Sequence, residues 1–150
     1  MFYLILDNKN RNIEAIHGKT ASELLAIIAK VSKKNIDPLD RYEFKSTLGI
    51  GSCGEVCLAV NERNRVAIKI IKIDEEQLES VANEVILTKH CKNKTLVRFV
   101  DSYLHKNIVS IVMEYVAGCS LVEVLTMDCD NKEIPLQILE ELEIATILNG

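Results

Sequence analysis

The sequence predicts an α+β fold: a five-stranded antiparallel sheet carrying one helix, after a short β-β-α extension and before the start of a helical region. Three observations predict it. Residues 48–69, LGIGSCGEVCLAVNERNRVAIK, run as glycine turn, strand, polar turn, strand, with a further strand leading into the glycines. Residues 74–89 place Leu78, Val81, Val85 and Thr88 at three- and four-residue steps, the spacing of an amphipathic helix. Two more apolar runs, residues 96–104 and 108–116, flank the turn His105-Lys106-Asn107 and read as a hairpin.

In chain order, residues 2–6 are strand-like, 7–10 form a turn, and 12–16 form a second short strand. Thr20-Ala21-Ser22-Glu23 has the capping-box pattern, in which threonine accepts from a first-turn N–H and glutamate reaches back. An apolar helix with Leu24, Leu25, Ile27, Ile28 and Val31 follows. The β-β-α order and the run NKNRNI resemble the opening of ubiquitin-like modules that bind small GTPases, although only half of such a module fits. The plainer expectation for residues 1–35 is an extension that docks on the following domain or on a partner. Residues 36–41 read as a polar linker, and Pro38 disfavours helix at Asp37.

Gly49, Gly51 and Gly54 stand at G-x-G-x-x-G spacing, with Val56 two residues on. Glycine lets backbone approach a ligand without a Cβ in the way, and such a turn can aim its N–H groups at a phosphate. A dinucleotide-binding turn would open a helix at its last glycine. Here Glu55-Val56-Cys57-Leu58-Ala59-Val60 is a β-rich run, so an antiparallel hairpin over a nucleotide is expected instead. Residues 65–73 form the next strand, with Val66-Ala67-Ile68-Lys69 inside it.

Glu75, Glu76 and Glu79 load the start of the helix with acid, which suits its positive end. Glu84 lies beside the apolar stripe. From the helix alone it fits equally a solvated flank or a partner for Lys69, because an unpaired buried carboxylate is costly. After the last strand, Ala117-Gly118-Cys119-Ser120 breaks the sheet. Residues 121–125 read as a short helix and 127–133 as a polar loop. Pro135 opens a last helix with Leu136, Leu139, Leu142, Ile144 and Ile147.

Composition narrows the function classes. The 150 residues are 48% hydrophobic and 27% charged, ordinary for a globular chain. A net charge of −4 leaves no basic stripe for nucleic acid or for an anionic membrane surface. Residues 1–6 are too short to span a bilayer and lack the flanks of a signal peptide, so a cytoplasmic protein is expected. Five cysteines, Cys53, Cys57, Cys91, Cys119 and Cys129, have no zinc spacing and read as reduced thiols. Cys53 and Cys119 are placed to flank a ligand and to be modified there, but not to catalyse.

In combination, LGIGSCGEV, VAIK, NEVILTKH, LVRFVDSYL and VMEYVAGCSL resemble the small lobe of a eukaryotic protein kinase, and more closely the PAK-like serine/threonine branch. The resemblance covers about residues 42–125. It implies that residues 42–116 are the small lobe and 117–150 the hinge and the start of the large lobe. It further implies that Leu48, Gly49, Ile50, Gly51, Ser52, Cys53, Gly54, Glu55 and Val56 cover ATP and that Ala67 roofs the adenine. Lys69 would hold the α- and β-phosphates, with Glu84 paired to it. Met113 would be the gatekeeper, the backbone of Glu114 and Val116 would meet the adenine edge, and Ser120 would lie near the ribose.

The departures from the family matter as much. The histidines are His17, His90 and His105, none followed by Arg-Asp, and no Asp-Phe-Gly occurs. The catalytic base and the residues expected to hold magnesium are therefore missing from this sequence. Thr88 stands where the family has an apolar residue. The expectation is an N-terminal portion of a PAK-like kinase that binds ATP but does not transfer phosphate by itself. Two alternatives are a stand-alone binding module, whose large-lobe face a protein partner would cover, and an inert remnant. No GTPase-binding box of the PAK family is visible.

Overall fold

The computed structural model describes residues 16–118, except Cys53, Arg63 and Cys91. The strands expected at 2–6 and 12–16 lie outside the described residues, apart from Ile16, as do the helices expected after residue 120. The described helices and strands belong to one compact unit, residues 1–115, and residues 116–150 make up a second.

Helix α1 spans Ala21–Val31. Its capping box forms as the sequence predicts: the Glu23 amide donates to Thr20 Oγ1, and the Thr20 amide donates to Glu23 Oε2. The Thr20 amide and then the Thr20 hydroxyl, both donating to Glu23 Oε2, hold the Glu23 carboxyl below its usual range. Strand β1 is the pair Lys33–Lys34. A 3-10 turn, Pro38–Asp40, leads to β2, Glu43–Gly51, and then to β3, Gly54–Asn61, and β4, Asn64–Lys72. Helix α2, Leu78–His90, follows a 3-10 turn over Glu75–Gln77, and β5, Phe99–His105, and β6, Ile108–Glu114, complete the unit.

Among the described residues the sheet has six strands in the order β1-β5-β6-β4-β3-β2, one more than the five expected. The extra strand is β1, which pairs parallel with β5; every other pair is antiparallel. Two lysines carry no strand signal of their own. Their pairing comes from neighbours: Lys33 forms an ion pair with Asp101, and the Asn35 amide donates to the Leu104 carbonyl at 3.0 Å. The strand expected from residue 96 begins at Phe99. Ahead of it the Leu96 amide turns back to the Asn93 carbonyl at 3.2 Å, and Leu96 and Val97 stay about half exposed. The turns at Asn61–Asn64 and at His105–Ile108 are two-residue hairpins, with Glu62 and Lys106 at positive φ.

Each sheet face has its own core. On one face Ile71, Val109 and Ile111 pack with Leu78, Val81, Ala82, Val85 and Ile86 of α2 and with Leu24 and Ile28 of α1. On the other, Tyr42, Ala59, Val66, Ile68, Tyr103 and Val112 form a smaller cluster. There the Tyr42 and Tyr103 rings meet edge to face, with centroids 6.2 Å apart. Burial, and the Tyr103 hydroxyl donating to Asp101 Oδ2, push the phenol pKa well above its usual value.

Candidate functional site

Strand register brings the predicted residues together on the helix-covered face. Paired residues of antiparallel strands point to the same side. Gly49, Val56, Lys69 and Ile111 therefore form one row across four strands. Leu58, Ala67, Met113 and Phe99 form the next. A cation, a small side chain and a flexible apolar one thus share one surface beside the glycines.

Lys69 Nζ lies 2.5 Å from Glu84 Oε1, across from α2. Of the two placements open from the helix pattern, Glu84 takes the pairing one. Both side chains are mostly shielded, at 22% and 29% exposure. A charge-assisted bond of this kind is short and directional, and partial desolvation strengthens it. One turn further, the Thr88 hydroxyl donates to the Glu84 carbonyl at 2.7 Å. The threonine's polar atom is satisfied within its own helix.

The three glycines do different things. Gly54 has φ of +139°, and a Cβ there would lie 2.2 Å from the Ile70 carbonyl oxygen. Glycine is required at that position for the hairpin to close on β4. A Cβ at Gly49 would meet nothing within 4 Å, and at Gly51 only the Gly54 carbonyl at 3.9 Å. Among the described residues, no close neighbour restricts either position to glycine. Leu48 and Ile50 beside them are exposed. The hairpin is pinned by the Thr47 hydroxyl donating to Glu55 Oε1 at 2.5 Å, a contact absent from the sequence reading. In the β2–β3 register Thr47 pairs with Cys57 and Glu55 with Ile50, so the bond runs diagonally between the strands and leaves no signal in the sequence. On the opposite face of β3, burial and then Glu55 push the Cys57 thiol pKa up, which keeps the thiol protonated.

At the end of β6, the Glu114 amide donates to the Arg98 carbonyl at 2.9 Å, and the Arg98 amide returns a bond to Glu114 Oε1 at 2.8 Å. The Glu114 side chain, unremarked in the sequence, thereby holds the segment before β5. Cys53 and Ser120 lie outside the described residues, and Val116 belongs to the second unit.

The space left at Gly49 and Gly51, with the Lys69 ammonium in the same row as Gly49, suits an anionic group. Among the described residues no cluster of His, Cys, Asp or Glu is placed to hold a metal ion, and no helix is long and apolar enough to cross a membrane.

Residues 42–148 match the protein kinase domain family. Serine/threonine-protein kinase ste20 of Aspergillus fumigatus is 38% identical over 121 residues, covering 76% of this chain and 14% of that protein. Serine/threonine-protein kinase CLA4 of Candida albicans is 35% identical over 130 residues, covering 82% of this chain and 13% of that protein. Serine/threonine-protein kinase pakD of Dictyostelium discoideum is 32% identical over 97 residues, covering 63% and 6%. The chain spans between 6% and 16% of the length of such relatives.

Proposed function

The chain belongs to the protein kinase domain family, with relatives among the Ste20- and PAK-like serine/threonine kinases, and from that premise we propose that it is the ATP-binding small-lobe portion of such a kinase. The observation that carries this reading is the shared face of Gly49, Val56, Ala67, Lys69 and Met113, with Lys69 held 2.5 Å from Glu84. In this reading ATP supplies the phosphoryl group. Gly49 and Gly51 offer backbone N–H groups to its phosphates, and Lys69 neutralises part of their charge. Glu84 stops the lysine from swinging away, and Val56 and Ala67 cover the adenine. The backbone role of Val116 and the placing of Ser120 near the ribose rest on the resemblance alone.

Calorimetric titration of the 150-residue chain with ATP tests the reading. Saturable binding that weakens about tenfold or more in Lys69→Met, the loss of one charge-assisted phosphate contact, is the expected result. A folded chain that binds no ATP at millimolar concentration sinks it.

These 150 residues are further proposed not to phosphorylate protein unaided. Phosphoryl transfer relies on a residue that orients the nucleophile and on metal ligands, and the sequence contains neither His-Arg-Asp nor Asp-Phe-Gly. Radiolabel transfer to a protein acceptor that disappears in Lys69→Ala would overturn that part. The half-exposed Leu96 and Val97 favour a second reading, a module that docks a partner protein over this surface. A monomer by sedimentation, with no change on Leu96→Ser, counts against it.

A further inference from the structure

Helix α2 carries Glu84, and its most extensive packing is with α1. Ile16, Leu24 and Ile28 share one buried cluster with Leu78, Val81, Ala82, Val85 and Ile86. Two polar ties join α2 to α1 and to the turn before it, near opposite ends of α2. His17 Nδ1 lies 3.1 Å from Glu79 Oε1 near its start, in the open. Lys89 Nζ donates to the Val31 carbonyl at 2.8 Å near its end.

The second tie is the more telling. The same Val31 carbonyl accepts from Ser102 Oγ of β5 at 3.1 Å, and Ser102 is 1% exposed. One oxygen at the last residue of α1 therefore links α1, α2 and the sheet. A carbonyl there carries the negative end of the helix dipole, where a lysine is favoured. A buried hydroxyl needs an acceptor, and the Val31 carbonyl and the neighbouring Ser32 Oγ, each at 3.1 Å, both offer one. Glu84 precedes Lys89 on α2 by about one and a half helical turns. A slide or roll of α2 that frees Lys89 from Val31 also draws Glu84 off Lys69.

We propose that the Val31 carbonyl is the anchor that positions α2 against the sheet, making Ile28, Lys89 and Ser102 positioning residues for the Lys69–Glu84 pair. The functional meaning of that pair rests on the ATP-binding reading, but the pair can be measured without nucleotide.

The test uses the whole 150-residue chain and reads acylation of the Lys69 amine by peptide-resolved mass spectrometry, with amide exchange over α2. In the parent chain Glu84 shields the amine. Lys89→Met keeps the apolar stem and removes the donor. It is expected to raise Lys69 acylation roughly 3- to 30-fold, the span of couplings carried through packed elements, and to speed exchange around Glu84. Lys89→Arg restores protection, and Glu84→Gln marks the fully broken pair. Lys45→Met, on the edge strand β2, leaves Lys69 unchanged. Unaltered Lys69 acylation in folded Lys89→Met and Ser102→Ala overturns the proposal, whether or not Ile28→Ala folds. A parent chain that binds no ATP, yet loses Lys69 protection in Lys89→Met, sinks the ATP reading and leaves the anchor standing.

Discussion

β2 is exposed at nearly every position from Glu43 to Gly51, whereas β4, two strands away, buries Val66, Ala67, Ile68 and Ile71. β2 has one strand neighbour and two register shifts against it; β4 is paired on both sides without a shift. The two strands supply opposite halves of the candidate site. In the proposed ATP-binding reading the glycines close over a phosphate, and an edge with little buried apolar surface opens locally at low cost. Lys69 needs the reverse: a charge is useful where a ligand finds it already in place, without reorganisation. The difference teaches that mobility and rigidity in this site come from burial and pairing, strand by strand.

The largest break in that contrast is a cavity in the rigid half. Ile68 is fully buried, and Ile68→Ala is expected to cost about 2–5 kcal/mol in urea unfolding. Ile50→Ala, on the exposed edge, stays within about 0.5 kcal/mol. Similar losses at both sites would erase the distinction.

A finer cut separates the glycines. Gly54→Ala forces a Cβ onto the Ile70 carbonyl at positive φ, and a loss of about 1–3 kcal/mol is expected. Gly49→Ala meets open space and leaves the melting temperature near the parent's while weakening ATP binding. Equal destabilisation by the two would show that Gly49 is a packing residue as well.

The smallest effect is alkaline. Cys57 sits on β3, between the two regions, with its thiol pKa raised by burial. A raised acid favours the protonated fold. Its stabilisation is complete below the unfolded thiol value, about 9.0, and is lost as pH climbs through the folded one. Tyr103 has the same sign at higher pH. The melting temperature should fall from about pH 9 upward, and Cys57→Ala should flatten the first part of that fall. An unchanged slope would place the thiol outside the titration.

The sequence by itself determined the elements whose signals are local. Glycine spacing, polar two-residue turns, the Thr20–Glu23 cap and the apolar steps of α2 each depend on residues a few positions apart, so they can be read along the chain. The Lys69–Glu84 pair was foreshadowed only by the resemblance to the kinase family, because the helix pattern by itself fitted a solvated Glu84 equally well. Only the tertiary structure decided the rest. Lys33–Lys34 became a strand because β5 offered an edge, not because lysine prefers one. Ala82 and Ile86 joined the core because α1 covers them. Gly54 was set apart from Gly49 and Gly51 by the closeness of Ile70, and the Val31 carbonyl became a three-element joint through residues 58 and 71 positions away. Contacts of that range depend on where whole elements come to rest, which no short window of sequence records.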